Sequence, residues 1–329
     1  MFGWRRASRR RGASAAGEAT APPGEALPGT RADALLRRLE WTVVRRLDGL
    51  LQGDYRTLLR GFGLDLADLR EYQPGDDVRH MDWNVTARLQ APHLREFQED
   101  REVSAWFLLD LSGSVDFGSG GVRKRALLTE FTAVMARLLI RHGNRVGAVL
   151  YGGAQGDRFP VIPARPGRRH LLHLVDRMNA TPAASRGVTQ LSELLAHAQA
   201  VIGRRSVLFV VSDFISEPGW ERPLAMLAQR HEVVAVRLID PLETALPDLG
   251  LVLMQDAETG EQLFVDTHDA AFRRRFAAAA RTREADLGLA FARAGVDSLA
   301  LTTDARLDLA LLEFARHRRR GANAGGRRR

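Results

Sequence analysis

Apolar residues follow two rhythms along this chain, and the change between them falls near residue 105. Over 32–51, Leu35, Leu39, Val43, Leu47 and Leu51 recur every four residues, with Arg37, Arg38, Arg45 and Arg46 elsewhere on the surface. That spacing predicts an amphipathic helix packed on the domain. Residues 53–104 are polar and turn-rich, with a turn signal at Pro74-Gly75 and short strands expected within Leu94–Glu102. From Ala105 the pattern changes to continuous apolar runs. Ala105-Trp106-Phe107-Leu108-Leu109 reads as a strand covered on both faces.

Strands and helices then alternate. A helix is predicted over about 123–142, carrying Leu127, Leu128, Phe131, Val134, Met135, Leu138 and Leu139, and strands over 146–151 and 159–162. The prolines around the second of these strands suit a sheet edge. Helices fit 168–179 and 190–202, a strand 206–212, a helix 223–230 and a strand 233–239. A hairpin is expected from 251–254 and 262–265 around Glu258-Thr259-Gly260, then a long helix at 269–294, a strand at 298–302 and a helix at 305–318. Such alternation predicts an α/β fold with a mostly parallel sheet and helices on both faces. Ligands of these sheets bind beyond the carboxyl ends of the strands.

Composition adds exclusions. There is no cysteine, so disulfides, zinc–thiolate sites and cysteine nucleophiles are absent. The net charge is +8, yet the two ends, 1–30 and 315–329, together carry +10, leaving residues 31–314 at −2. A near-neutral body argues against specific nucleic-acid binding, and the Gly-, Ala- and Arg-rich ends read as disorder. Lys124 is the only lysine beside 47 arginines, which reads as coding bias. No stretch approaches the ~20 apolar residues of a membrane span, and the expected location is cytoplasmic. The expected organisation is a disordered leader at 1–30, an N-terminal helix and polar segment at 31–104, the α/β domain at 105–318 and a disordered basic tail at 319–329.

Three oxygen-rich segments sit where strands or loops meet helix starts. They are Asp110-Leu111-Ser112-Gly113-Ser114, Thr189 in Gly187-Val188-Thr189-Gln190, and Asp213 in Val211-Ser212-Asp213-Phe214. Asp110 and Asp213 offer carboxylates; Ser112, Ser114 and Thr189 offer hydroxyls. Gathered together, they suit a hard divalent cation, Mg²⁺ first, with Mn²⁺ or Ca²⁺ as the other ions that fit. Each segment alone also reads as turn and cap residues.

The Asp-x-Ser-x-Ser pattern, the later Thr and the later Asp resemble the metal-ion-dependent adhesion site of the von Willebrand factor A fold. The resemblance implies that Ser112, Ser114 and Thr189 are direct or near-direct ligands and that Asp110 and Asp213 act partly through water. Val188 stands where that family usually has a second Gly. Upstream, Leu69-Arg70-Glu71-Tyr72 through Asp82-Trp83, with Thr86-Ala87-Arg88, resembles the bacterial domain of unknown function 58. Its members resemble partners of MoxR-type AAA+ ATPases, which act as chaperones in maturing other complexes. In the upstream segment Asp76, Asp77, Arg79, Asp82 and Arg88 suit mutual ion pairs that fix a loop better than they suit catalysis.

The expected function is therefore a non-enzymatic, metal-dependent protein-binding module whose partner supplies a carboxylate, working with a MoxR-type AAA+ ATPase. The alternative is a metal-dependent hydrolase of phosphoesterase type, with Asp116 or Asp213 as the near candidates for a general base. No P-loop and no Gly-x-Ser-x-Gly elbow is present. His170 and His173 have no evident third ligand for zinc.

Overall fold

The computed structural model describes residues 104–325 apart from 153–157, 183–187 and 257–259, together with Phe2–Arg5 and residues 36, 69–73, 81, 86–87 and 91–95. Its strands are β1 (Phe2–Arg5), β2 (Leu69–Glu71), β3 (His93–Arg95), β4 (Ser104–Asp110), β5 (Arg145–Tyr151), β6 (Val161–Arg165), β7 (Val207–Ser212), β8 (Glu232–Ile239), β9 (Leu251–Asp256), β10 (Gln262–Asp266) and β11 (Asp297–Thr302). Its helices are α1 (Lys124–Arg141), α2 (Arg168–Ala180), α3 (Leu191–Val201), α4 (Glu221–Arg230), α5 (Pro241–Thr244), α6 (Ala270–Ala294) and α7 (Leu307–Gly325).

Six strands form the central sheet in the order β11-β8-β7-β4-β5-β6. All its pairings are parallel except β5 with the edge strand β6. Strand side chains alternate between faces, and the apolar runs follow that alternation. Phe107 and Leu109 of β4 join Phe209 and Val211 of β7 on one face, beneath α1, α2 and α7. Trp106 and Leu108 join Leu208 and Val210 on the other, beneath α3, α4 and α6. A strand sandwiched in this way has no polar face, which is why its sequence reads as an unbroken apolar run. Phe107 stacks on Phe209 with ring centroids 5.0 Å apart, and Phe131 of α1 meets both edge-on. The fold is thus α/β with a mostly parallel sheet and helices on both faces, as the alternating pattern predicts.

Strand β6 lies two residues later than expected, because Phe159 leaves the strand and stacks on His197 of α3. Pro163 is tolerated there, since an edge strand can lack one N–H donor. The register of β5 against β6 shifts between Val146 and Ala148. Gly147 fills that irregularity, where an added Cβ would lie 2.8 Å from Trp106 Cε3 and 2.9 Å from both Ala164 N and Ile162 O. Gly147→Ala is expected to lower stability by about 1–3 kcal/mol, because the buried Trp106 ring and the β6 backbone, not a flexible side-chain tip, must give way. Urea denaturation measures the loss; a neutral result would mean the edge strand is looser than drawn.

The β9–β10 hairpin forms a separate antiparallel sheet, and β1 pairs with its β9 edge. Of the leader expected over 1–30, Phe2–Arg5 is this strand and the rest lies outside the described residues. Of the helix expected over 32–51, Leu36 alone is described; it is helical and packs into the core under α1, α2 and α7. The upstream strands β2 and β3 pair with each other. Asp76, Asp77, Arg79, Asp82 and Arg88 lie outside the described residues. The last helix runs to Gly325, past the boundary at 318, in keeping with the helix propensity of Arg and Ala. Among the described residues no helix is long and apolar enough to cross a membrane.

Candidate metal centre

Strands β4 and β7 are neighbours in register, with Leu109 opposite Val211, so their carboxyl ends release Asp110 and Ser212-Asp213 side by side. Asp110 is completely buried. Its Oδ1 accepts from the backbone N–H of Ser112 at 2.9 Å, and its Oδ2 accepts from Ser212 Oγ at 2.6 Å. The turn that follows brings Ser112 Oγ within 3.1 Å of Ser114 Oγ, both nearly fully buried. Burial first, and then the charge of Asp213, push the Asp110 carboxyl up from 3.8 to about 6; bonds from Ser212 and Ser112 offset part of the rise. Two carboxylates therefore share a buried corner, and the charge of Asp213 makes ionising Asp110 more costly.

The Asp213 side chain is aimed by its own backbone. Its Oδ1 accepts from Ile215 N at 3.0 Å, and Phe214 adopts a left-handed conformation with φ of 56°. A bulky residue rarely holds that geometry, which costs on the order of 1–3 kcal/mol. It persists because Phe214 is buried against Trp220 and Phe291, at centroid distances of 5.3 and 4.9 Å, and because its N–H donates to Ser212 Oγ at 2.9 Å.

Thr189 reaches the same end of the sheet from the α3 side. Its carbonyl accepts from Glu217 N at 2.9 Å, in the loop after Asp213, while Gln190 N donates to the hydroxyl of Tyr151 at 3.2 Å. Tyr151 stands opposite Asp110 in the β4–β5 register. The N-cap of α3 is Gln190, so buried Thr189 is not its cap. The three segments thus meet at one rim.

The corner also holds residues that the sequence reading passed over. Lys124, the first residue of α1, is fully buried; its Nζ lies 2.6 Å from Asp213 Oδ2 and 2.7 Å from Glu243 Oε1, with the Phe117 ring 5.9 Å away. Burial alone would lower its pKa, but the charges of Asp213 and then Glu243 outweigh this and hold it above the ordinary lysine value. Glu243 is itself pushed up by burial. Glu243 belongs to a capping box: Asp240 caps α5, and Glu243 Oε2 accepts from Asp240 N at 3.1 Å. Asp240 also accepts from Ser119 and Thr303, tying the loop after Ser114 to the end of β8.

Asp213 and Glu243 thus share one ammonium, and the charge of Asp213 also reaches Asp110. Arg237 also lies within electrostatic reach of Glu243 and Asp213, and it is paired with Glu284. Among the described residues no group of three or more His, Asp or Glu side chains forms a cation cage. A cation at this corner would therefore need the hydroxyl oxygens; the two carboxylates and the adjacent hydroxyls of Ser112 and Ser114 suit a hard divalent ion, and the Thr189 backbone is bonded to the loop after Asp213.

The chain matches the family model described as "Protein of unknown function DUF58" over residues 68–286. An uncharacterized protein of Mycobacterium tuberculosis is 41% identical over 297 residues, covering 89% of this chain and 91% of that protein. A conserved hypothetical protein, BatB from Bacteroides thetaiotaomicron, is similar in structure with a TM-score of 0.42 at 12% identity, covering 67% of this chain and 99% of that one. A von Willebrand factor type A structure from Catenulispora acidiphila gives 0.27 at 13% identity, covering 42% of this chain and 33% of that one. With its family model matched over more than half its length and a relative of this identity along nearly all of it, the chain belongs to the DUF58 family.

Proposed function

We propose that this chain is a non-enzymatic module that binds a protein partner through a divalent cation at the rim of its sheet. Asp110, Ser112, Ser114, Thr189 and Asp213 would hold the ion: Mg²⁺, with Mn²⁺ or Ca²⁺ as substitutes. When bound, it would supply a Lewis-acidic position for a carboxylate oxygen of the partner. The observation that carries this reading is the unbalanced charge of the corner. The Lys124 ammonium is shared by Asp213 and Glu243, while buried Asp110, repelled by the charge of Asp213, is held by Ser112 and Ser212, which leaves carboxylate charge that a divalent ion would offset. A purely structural cluster of this depth is better served by balanced pairs.

The hydrolase alternative finds less support. Of its two candidate bases, Asp116 is exposed and paired with Arg123 at 3.2 Å, and Asp213 is taken up by the donor set itself. The partner class follows from the family resemblance: a MoxR-type AAA+ ATPase, in the cytoplasm, maturing or assembling other complexes. The test immobilises the full chain and measures capture of a purified MoxR-type ATPase from the same genome. Capture is expected in Mg²⁺ and to fall at least about tenfold in EDTA or with Asp110→Ala, since coupling of this kind spans roughly 5–150-fold. Equal capture under all three conditions would remove the metal-dependent reading.

A further inference from the structure

The one lysine of the chain occupies one side of the candidate metal centre, and its two partners differ in kind. Asp213 belongs to the donor set; Glu243 does not. Both oxygens of Asp213 are engaged, Oδ2 by Lys124 Nζ and Oδ1 by Ile215 N, so the carboxylate is not simply open to a metal. Glu243 is fixed by the Asp240 backbone through the capping box, and Asp240 is fixed in turn by Ser119, Leu242 and Thr303. The ammonium therefore has a second carboxylate, held in place, that does not depend on the metal centre.

We propose that Lys124 is a tethered cation that competes with the divalent ion for Asp213, and that Glu243 keeps the ammonium partnered when Asp213 turns to the metal. This rests on the metal-binding reading above. The buried setting makes the competition strong, because a unit charge within about 4 Å of a ligand carboxylate is poorly screened there. It also explains why a lysine is found here in a chain that otherwise uses arginine. A compact ammonium on a flexible four-carbon stem can move between two single oxygens, whereas a planar guanidinium is suited to fixed bidentate contacts. Metal affinity would then be set below what the oxygen donors alone provide, and binding would read as the exchange of one cation for another.

The test titrates Mn²⁺ into the full chain, followed by electron paramagnetic resonance, with Mg²⁺ by calorimetry. It compares wild type, Lys124→Met, Glu243→Gln and Asp110→Ala. Lys124→Met is expected to bind Mn²⁺ about tenfold or more tightly than wild type, and Mg²⁺ is expected to raise its melting temperature further than it raises that of wild type. Glu243→Gln, which leaves the ammonium only Asp213 as a full charge partner, is expected to weaken Mn²⁺ several-fold. Equal or weaker binding by Lys124→Met, with binding abolished only in Asp110→Ala, overturns the competition and leaves the metal centre standing. Failure of wild type and of both Lys124→Met and Glu243→Gln to bind Mn²⁺ at millimolar concentration removes the metal centre and the competition together. Where Lys124→Met does not fold, Glu243→Gln decides: unchanged or tighter binding overturns the proposal.

Discussion

Metal-free protein carrying Lys124→Met will be less stable than wild type by about 3–5 kcal/mol, the loss expected when one partner of a buried ion pair is removed. The ammonium and the Asp213 carboxylate are both fully buried, and Glu243 is 10% exposed in its side chain, so water cannot take over the lost contacts. A methionine fills nearly the same volume, which isolates the charge from the packing. Asp213→Asn should also destabilise, since the ammonium keeps only Glu243 as a full charge. The double substitution should lose less than the two single ones combined, with a coupling of roughly 1–3 kcal/mol, because the second change removes a group already left without its partner. Urea unfolding in EDTA measures all four proteins. A loss below about 1 kcal/mol for Lys124→Met, of the size seen for exposed pairs, would mean that the three side chains do not meet in solution.

The parts of this molecule that the sequence made legible share one physical property: they depend on local pattern. The runs that became β4 and β7 are apolar at every position because both faces of each strand are covered, and that alone placed Asp110 and Asp213 at strand ends. The Asp-x-Ser-x-Ser turn was legible because its hydrogen bonds span only two residues. What escaped depends on distance in the chain. Lys124 lies 89 residues from Asp213 and 119 from Glu243, and no local period joins them. Its only signal is a lone lysine at the start of the helix after Ser114, which composition alone assigns to coding bias. Asp240-Pro241-Leu242-Glu243 was likewise visible as a capping box at the end of an apolar strand, with Pro at the first helical position. The left-handed Phe214 had no signal at all: a phenylalanine states nothing about a positive φ until its aromatic neighbours hold it there. Boundaries shifted where packing rather than pattern decided them, as at Phe159.

Asp110→Asn should make the metal-free protein more stable near neutral pH, although it removes a charge from the centre of the site. The Asp110 carboxyl has its folded value raised from 3.8 to about 6, chiefly by burial and then by Asp213. Between those values the folded state holds a proton that the unfolded state has released. Stability therefore falls as pH rises through the window, and above about 6 the full penalty stands. For a group with no exposure to solvent the penalty is on the order of 2–3 kcal/mol. Asparagine is uncharged at every pH, and its carbonyl can still accept from Ser112 N while its amide faces Ser212 Oγ. Its advantage over wild type should be greatest above about 6 and fade as the pH is lowered toward 3.8. Thermal unfolding across that range, in EDTA, measures it; an Asp110→Asn protein no more stable than wild type at neutral pH, or a difference that ignores pH, would count against the buried charge. The same penalty gives the site its capacity to respond. On the proposed metal-binding reading, Mg²⁺ would offset this charge, so it should raise the wild-type melting temperature and leave that of Asp110→Asn nearly unmoved.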